Sequence, residues 1–416
     1  MRFYLRTYGC TLNAHDSELM RAQLLKCGHT EVKSAEDADF VVINTCGVKD
    51  ATEKRIINVI KSVRKPLVVC GCLASGAPLM VRKFAPHAVL VGTYALGSIC
   101  SGAADAMAGR ATEYLGHTDK WSMCYKFRPP IAVIAAADGC TGACTYCFTR
   151  LARPGIKSVP VERIVQQVKD ACRAGVKEVR LTSQDMGAYG IDKGTSLSKL
   201  LAAIAELDLP LKIRVGMMNP KHLLLQMEAI DIMRSSPIFY KFYHIPAQSG
   251  SDAILKAMGR GNTVDEYLGI VREIRRDADA SIMNDIIVGF PGESDDDFEA
   301  SVELCKKVQP DTTNISKYSR RPGTPAASLK QVPRAAINAR SAGLSALCDS
   351  LSLARNRRWV GRTCTATFLE KVKTVAGRNE YYKQVVVDEP GIGIGTTARV
   401  RITSAGVAYI KGELVN

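Results

Sequence analysis

Gly139-Cys-Thr-Gly-Ala-Cys-Thr-Tyr-Cys-Phe148 is the most informative stretch of this 416-residue chain, because its three cysteines, Cys140, Cys144 and Cys147, share one short loop. A four-iron cluster normally takes four cysteine thiolates. Three thiolates on one loop therefore predict an iron–sulfur cluster with one iron left open for a substrate or cofactor. The glycines of the loop let the backbone turn closely around such a cluster.

Zinc is the alternative metal for these cysteines. It usually gathers its ligands as paired Cys-x2-Cys groups or as Cys pairs with His pairs. The nearest histidines, His117 and His222, fit neither arrangement. The spacing therefore favours a cluster, with zinc or a purely structural role as the alternatives.

The cysteine loop follows the first of six apolar runs that alternate with amphipathic stretches. The predicted strands are 131–135, 178–181, 212–215, 242–245, 282–288 and 313–318, and the predicted helices are 161–174, 197–206, 263–277 and 295–308. Six such units predict a partial (β/α)6 barrel over 127–330. In barrels of this type the carboxyl ends of the strands form the active face, so the cysteine loop is expected there.

Residues 1–115 also alternate strands and helices, which predicts an α/β domain with an open parallel sheet. Strands are expected at 3–7, 40–44 and 67–69, and the first helix at 16–26, with Asp16 or Ser17 as its cap. Each of these strands is followed by a cysteine, namely Cys10, Cys46 and Cys72. Because parallel strands end at one edge, the three thiols are expected to meet there and hold a second cluster. Buried, unligated cysteines are the alternative.

Cysteine usage indicates a reducing compartment. Fourteen cysteines occur without an apolar secretory leader, so Cys27, Cys70 and Cys100 are interpreted as core or surface thiols. The uncharged run 88–104 contains several glycines and serines, and it is expected to form a strand and a helix rather than a membrane span. We therefore expect a cytoplasmic protein with no membrane partner.

The end of the chain changes character. A helical connection is expected over 331–356, and short β runs over 357–416 predict a small all-β barrel. The whole chain has a net charge of +15, and the last segment contains ten basic and five acidic residues. Because cations can bind phosphates while aromatic rings stack on bases, this segment is predicted to bind RNA. The candidate RNA-binding residues are Arg357, Arg358, Arg378, Tyr381 and Lys383.

Several motifs together resemble the radical S-adenosylmethionine methylthiotransferases over essentially the whole chain. These motifs are Thr7-Tyr-Gly-Cys10 with Asn13 and Asp16-Ser17-Glu18, Asn44-Thr-Cys46, Gly71-Cys72, the Cys140, Cys144 and Cys147 loop, Gln248-Ser-Gly-Ser251 and Arg321-Pro-Gly-Thr324. The last segment resembles the TRAM domain of that family. The runs 181–190, 214–220 and 244–250 are most similar to its archaeal and eukaryotic branch.

The branch resemblance implies a tRNA substrate, N6-threonylcarbamoyladenosine at position 37 beside the anticodon, and its conversion to the 2-methylthio derivative. It implies two [4Fe-4S] clusters, one on each cysteine set, and two molecules of S-adenosyl-L-methionine, one as radical source and one as methyl donor. The cofactor, rather than a side-chain acid or base, is expected to supply the chemistry. An electron donor and a sulfur source are implied partners. The membrane-anchoring tail of eukaryotic members is not expected.

The same resemblance implies contacts for the cofactor. The expected cofactor contacts are Phe148 with the adenine, Ser183 and Gln184 with the methionine group, Arg214 with its carboxylate, and Gln248 and Ser249 with the ribose. The sequence does not locate the partner of the threonylcarbamoyl carboxylate, for which a cation such as Arg150 or Arg153 is a candidate. The alternative for each is a role in shaping a loop, and for Arg214 a salt bridge across the barrel.

Other substrates and one other class of protein stay open from the sequence. The family also includes enzymes that act on N6-isopentenyladenosine in tRNA or on an aspartate of a ribosomal protein. A protein substrate would predict a less basic last segment than this one. A non-catalytic iron–sulfur RNA-binding protein is the alternative of a different class, although such a protein has no need of an open iron.

Overall fold

The computed structural model describes residues 1–47, 50–123, 125–371, 374–389 and 391–415. Within this part of the chain three β-sheet units follow one another, and a long helix joins the second to the third. None of the helices in the described ranges is long and apolar enough to cross a membrane.

The first unit is a six-stranded sheet with the order β2-β1-β3-β4-β5-β6, in which every described pair is parallel. Its strands are β1 (Arg2–Thr7), β2 (Thr30–Glu31), β3 (Phe40–Thr45), β4 (Leu67–Gly71), β5 (Val89–Val91) and β6 (Glu113–Tyr114). Its helices are α1 (Thr11–Lys26), α2 (Asp50–Ser62), α3 (Cys72–Gly76), α4 (Pro78–Phe84) and α5 (Ile99–Met107). The predicted parallel α/β unit is confirmed.

Helix α1 begins earlier than predicted. Thr11 is its first residue and Cys10 is its cap, so the expectation that Asp16 or Ser17 caps the helix is wrong. Both residues are buried inside α1, where Asp16 makes ion pairs and Ser17 Oγ accepts a hydrogen bond from Asn44. From the sequence alone, two polar residues on a buried helix face look like a helix cap, because the sequence does not show the distant residues that pair with them.

The second unit is a partial barrel of six parallel strands in sequence order. Three strands form one sheet and three another, with a single bridge from Ile213 to Phe239 between them. The barrel strands are β7 (Ile131–Ala135), β10 (Glu178–Thr182), β11 (Lys212–Val215), β12 (Phe242–His244), β13 (Ser281–Val288) and β14 (Thr312–Lys317), and a short ribbon of β8 (Ala137–Asp138) and β9 (Lys157–Ser158) follows β7. The helices are α6 (Thr149–Ala152), α7 (Val161–Arg173), α8 (Leu197–Ala205), α9 (Pro220–Leu223), α10 (Glu228–Ser235), α11 (Asp252–Ala257), α12 (Val264–Ile274) and α13 (Asp295–Val308).

Successive barrel residues point to opposite faces, as strand geometry requires. Ile213 and Val215 lie in the large hydrophobic core with residues of the surrounding helices. Arg214, between them, pairs in register with Arg180 of β10. The second face of these strands is therefore polar, and it lines the inside of the barrel.

The third unit follows α14 (Arg334–Arg357), which packs Leu344 and Cys348 into the core of the barrel. It is a closed barrel of five strands with the order β15-β16-β17-β19-β18. The strands are β15 (Thr363–Lys371), β16 (Val375–Asn379), β17 (Gln384–Val387), β18 (Thr397–Ala405) and β19 (Ile410–Leu414). The predicted small β-barrel is confirmed.

Cys27 and Cys100 form a disulfide, so the interpretation of these two residues as separate thiols is wrong. Cys27 caps the end of α1 and Cys100 lies near the start of α5, and their Cα atoms are 6.6 Å apart. The two cysteines are 73 residues apart in the chain. Sequence spacing gives no indication of such a pair, whereas Cys70 is a fully buried thiol as expected.

Candidate iron–sulfur and cofactor site

The backbone at Gly139 fixes the start of the cysteine loop at 139–148. Gly139 has a φ of +81°, and a Cβ there would overlap the carbonyl oxygen of Gly155. The Gly139 amide donates to Gln184 Oε1 at 2.7 Å and to Asp138 at 2.8 Å. Gln184, a predicted contact of the cofactor, therefore holds the loop itself.

The three thiols of this loop lie close enough to influence each other electrostatically. The Gly142 amide donates to Cys140 Sγ at 3.2 Å, and Arg260 Nη1 lies 3.8 Å from Cys144 Sγ. Burial raises the pKa of Cys140 to about 12 and also raises that of Cys147. Binding of a metal to Cys140 and Cys147 must therefore displace protons that burial holds on these two thiols.

The second set, Cys10, Cys46 and Cys72, is assembled at the carboxyl edge of the first sheet, as predicted. Asn13 lies at its centre, because Asn13 Oδ1 is 4.0 Å from Cys10 Sγ and 3.8 Å from Cys72 Sγ. The Asn13 amide donates to the carbonyl oxygen of Thr45 at 2.8 Å, next to Cys46. Burial raises the pKa of Cys72 to about 12, and the nearby Arg153 opposes that effect.

Both sets offer the donors that an iron–sulfur cluster takes. The donor chemistry in each set is three thiols with amide or guanidinium donors around them, which suits a cluster that lacks one protein ligand.

A buried ion-pair network connects the two sets. Arg153 donates to Asp138 at 2.8 Å and to Asp16 at 2.5 Å, and its Nη2 donates to Asn13 Oδ1 at 3.0 Å. Lys120 pairs with Asp16 at 3.2 Å and also with Asp138. All four charged residues are almost fully buried. Asp138 precedes the first cysteine loop and Asn13 lies within the second set, so the network fixes one set relative to the other.

Arg153 therefore has its partners inside the protein. Burial by itself would lower the pKa of its guanidinium, but Asp138 and Asp16 outweigh burial and raise that pKa. Burial by itself would raise the pKa of Asp138, but Arg153 and Lys120 outweigh it and hold that pKa at about 2. Arg150 is exposed on α6. The expectation that Arg153 is available to a substrate carboxylate is contradicted by its partners.

Phe148 connects the two cysteine sets by packing. Its ring fills the space that side chains on Gly47 and Gly76 would occupy, and Gly47 directly follows Cys46. Phe148 also lines a cavity of about 410 Å3 together with Cys147, Tyr146 and Gln248. This cavity lies beside the first cysteine set and is the natural space for a cofactor there.

The other four predicted cofactor contacts have different surroundings. Gln248 has a left-handed backbone, with φ +73°, and it lines the cavity beside Phe148. Ser183 has a buried Oγ without a hydrogen-bond partner, which suits a bound ligand. Ser249 is buried and accepts a hydrogen bond from the Ser251 amide at 3.2 Å. Arg214 lies in a different cavity.

That second cavity, of about 360 Å3, lies between the inside of the α/β barrel and the closed β-barrel. Its lining includes Arg180, Arg214, Phe242, Arg378, Tyr382 and Lys383, and it reaches Thr11, which follows Cys10. The structure therefore brings Arg214 together with Arg378 and Lys383, two of the predicted RNA-binding residues, rather than with Gln248.

The five predicted RNA-binding residues do not form one surface. Arg357 and Arg358 are exposed, and Arg358 lies 3.6 Å from Asp279. Tyr381 is half-buried against Trp359. Lys383 is buried, with its Nζ donating to Asp311 at 2.6 Å and to Asn356 at 2.7 Å. Lys383 therefore does not lie on the surface, where it could contact a phosphate of RNA.

Several residues around the first set had no predicted role at the site. Asp185 accepts from the Asn219 amide at 2.9 Å and contacts His222 Nδ1 at 2.6 Å, and His222 Nε2 lies 3.2 Å from Thr141 Oγ1 in the cysteine loop. Arg260 was missed because it follows a helix more than a hundred residues after Cys144. Only the position of Asp185 at a strand end could have drawn attention to this group.

Comparisons with known proteins cover both cysteine sets. Residues 134–305 match the model of the Radical SAM superfamily, and residues 2–92 match the Uncharacterized protein family UPF0004. The chain is 37% identical to a Probable threonylcarbamoyladenosine tRNA methylthiotransferase of Pyrococcus horikoshii, over 100% of both chains. It is 32% identical to the Threonylcarbamoyladenosine tRNA methylthiotransferase of Homo sapiens, over 100% of this chain and 74% of the human protein.

Among solved structures, the radical S-adenosylmethionine methyltransferase TsrM from Kitasatospora setae, bound to tryptophan substrate and a SAM analog, is similar with a TM-score of 0.60. The match covers 78% of this chain and 75% of the TsrM chain at 14% identity. At that identity the similarity concerns the fold alone.

Proposed function

The chain belongs to the family of threonylcarbamoyladenosine tRNA methylthiotransferases, and we propose that it converts N6-threonylcarbamoyladenosine, beside the anticodon of tRNA, to the 2-methylthio derivative. We assign the second cluster to residues 1–115, the radical chemistry to 127–330 and tRNA binding mainly to 357–416. The observation that carries this proposal is the presence of two three-thiol sets joined by one buried network.

The first set, Cys140, Cys144 and Cys147, would hold a [4Fe-4S] cluster that leaves one iron for S-adenosylmethionine. When bound, this pair would supply the one-electron radical chemistry that activates the C2 position of adenine. Gln184 fixes the loop through the Gly139 amide. Phe148, Gln248 and the unpartnered hydroxyl of Ser183 contact the cofactor and orient it.

The second set, Cys10, Cys46 and Cys72, would hold the other cluster, which would supply the sulfur for C2, and a second S-adenosylmethionine would supply the methyl group. Asn13 and Arg153 keep this set at a fixed position relative to the first. Such positioning matters because a reactive radical must meet its acceptor before it meets water or protein. An external electron donor and a sulfur source complete the reaction as partners.

The proposed function is tested on the full chain after anaerobic reconstitution with iron and sulfide. The protein is incubated with a reductant, S-adenosylmethionine and tRNA that carries either N6-threonylcarbamoyladenosine or N6-isopentenyladenosine, and the nucleosides are analysed by mass spectrometry. We expect the 2-methylthio product from the threonylcarbamoyl tRNA only. Modification of only the isopentenyl tRNA would show that the proposed substrate is wrong.

A further inference from the structure

The cavity of about 360 Å3 between the two barrels has a chemistry of its own, and we call it the arginine cavity. It is defined by Thr11, Arg180, Arg214, Phe242, Arg378 and Tyr382. Thr11 belongs to the first turn of α1 directly after Cys10, so the cavity begins beside the second cysteine set. Arg180 and Arg214 come from the inner face of the α/β barrel, and Arg378 and Tyr382 from the closed barrel.

Two cations that line this cavity are already neutralised. Arg180 donates to Glu178 at 2.7 Å and lies 3.5 Å from Glu370. Lys383 pairs with Asp311 at 2.6 Å. Among the described residues that line the cavity, the acidic ones, Asp311 and Glu370, therefore already have Lys383 and Arg180 as partners.

Arg214 and Arg378 are different, because each guanidinium lies over an aromatic ring. Arg214 is 5.3 Å from the centre of the Phe242 ring, and Arg378 is 4.8 Å from the centre of the Tyr382 ring. In the part of the chain that the structure describes, neither of them has a carboxylate oxygen within ion-pair distance. Two buried or half-buried guanidinium groups thus line one cavity with their hydrogen-bond donors available.

The electrostatics of Arg214 agree with this geometry. Burial lowers its pKa, and the positive charges of Arg180 and Arg378 lower it further, while Tyr382 and Glu178 act in the opposite direction. An arginine stays protonated in spite of this, so the cavity holds excess positive charge. A small anion would relieve that imbalance, and a guanidinium can bind a carboxylate through two parallel hydrogen bonds.

We infer that Arg214 and Arg378 bind the carboxylate of the threonylcarbamoyl group and thereby select a base whose N6 substituent carries a negative charge. This inference rests on the proposed function, since it names how that substrate is recognised. It replaces the expected role of Arg214 at the carboxylate of S-adenosylmethionine, whose cavity is lined by Gln248 and Phe148 instead. It also replaces Arg150 and Arg153 as partners of the substrate carboxylate.

The position of the cavity suits such a substrate. A base whose C2 reaches the second cysteine set must place its N6 substituent away from those cysteines, and the arginine cavity extends from Thr11 towards the closed barrel. An isopentenyl group has no polar atoms, so it would exclude water from both guanidinium groups without giving them a hydrogen-bond partner. A site whose donors hydrogen-bond a polar group of the substrate strongly rejects an analogue that lacks this group, because the donors are then left unpaired.

The same arginines could instead bind a phosphate of the tRNA backbone, which is also an anion. A chemical change on the base alone separates the two sources. We would therefore prepare an anticodon stem-loop with N6-threonylcarbamoyladenosine and a second one in which the threonine carboxylate is a methyl ester. Their phosphates are identical, so only recognition of the base carboxylate distinguishes them.

Binding of both stem-loops to the reconstituted full chain is measured by titration. We expect the free acid to bind about 10- to 100-fold more tightly than the ester. In Arg214→Met this ratio should fall to near one through weaker binding of the free acid, with the affinity for the ester unchanged. Arg214→Lys should recover part of the ratio. Arg173→Met, at an exposed arginine of α7, is the matched control and should behave as wild type.

Equal affinity of the wild-type protein for acid and ester would overturn the inference without any variant. An equal loss for both stem-loops in Arg214→Met and Arg378→Met would also overturn it, because it would indicate phosphate binding or a folding defect. The wild-type reaction with the free acid keeps the proposed function separate. If the methylthio product forms while acid and ester bind alike, only the inference fails; if no product forms from any tRNA, the proposed function fails.

Discussion

The two cysteine sets reach similar three-thiol arrangements by different routes. Cys140, Cys144 and Cys147 lie on one loop, whose path depends on local backbone geometry at Gly139. The second set is assembled from the ends of β1, β3 and β4, which the parallel register brings to one level, with Thr7 opposite Asn44 and Thr45 opposite Gly71. A local motif can be damaged at one residue, whereas an assembled site depends on the sheet and on the contacts that hold it.

The largest expected effect is on the iron content of variants that lack a cysteine of one set. Cys140→Ala should leave only the second cluster and Cys72→Ala only the first, so each variant should keep about four of about eight irons per chain after reconstitution. Iron and sulfide analysis measures this directly. Cys172→Ala, at a half-buried thiol of α7, is the control and should keep the full content. A variant that loses all its iron would show that the two sites do not form independently.

The buried network is the element that both sets share, and removing its centre should be the next largest effect. Among the described residues, Arg153→Met leaves Asp16 and Asp138 with Lys120 as their one ion-pair partner, which should lower the free energy of unfolding by about 3–5 kcal/mol. Denaturant unfolding measures the loss. The exposed substitution Arg173→Met should change the free energy by less than about 0.5 kcal/mol. Similar values for both variants would contradict the role of the network.

The dependence of the first set on local backbone geometry can be tested by a substitution at Gly139. Gly139→Ala forces both a positive φ and an overlap with the Gly155 carbonyl, so we expect a loss of about 3 kcal/mol together with less iron at the first set. Gly28→Ala is a matched control, because Gly28 has the same φ of +81° and open space around it. It should cost about 1 kcal/mol and leave the iron content unchanged. Equal costs would mean that the close approach to Gly155 does not matter.

The smallest expected effect is a pH dependence of stability. The pKa of Asp138 is about 2 in the folded protein, because Arg153 and Lys120 outweigh burial, against about 3.9 in an unfolded chain. A lowered folded pKa stabilises the protein above the unfolded value, and this contribution is lost as the pH falls from about 4 to about 2. The unfolding midpoint of the metal-free chain should therefore drop more steeply over that range than that of Asp138→Asn. Parallel curves would contradict this assignment.

The same contrast explains how much could be predicted from the sequence. The loop at Cys140, the six barrel strands and the meeting of Cys10, Cys46 and Cys72 follow from spacing and from strand order, which are local or topological features. The family follows from motifs of the same local kind. Each of these signals lies within a few residues of an apolar run.

Features that depend on distant partners were missed or misplaced. Asp16 resembled a helix cap because its partner Arg153 is 137 residues away, and Cys27 gave no sign of Cys100. Lys383 was predicted to be a surface cation, but it is buried and donates hydrogen bonds to Asp311 and Asn356. Arg214 was assigned to the correct strand, but the closed barrel that completes its cavity lies far along the chain.

The central claim is that the first set generates the radical and the second supplies the sulfur. The most direct test is one reaction in which 5′-deoxyadenosine and 2-methylthio-N6-threonylcarbamoyladenosine are quantified together for wild type, Cys140→Ala and Cys72→Ala. We expect both products from wild type, neither from Cys140→Ala, and 5′-deoxyadenosine without the methylthio nucleoside from Cys72→Ala. Methylthio nucleoside formed by Cys72→Ala at the wild-type level, or 5′-deoxyadenosine formed by Cys140→Ala, would contradict this division of roles.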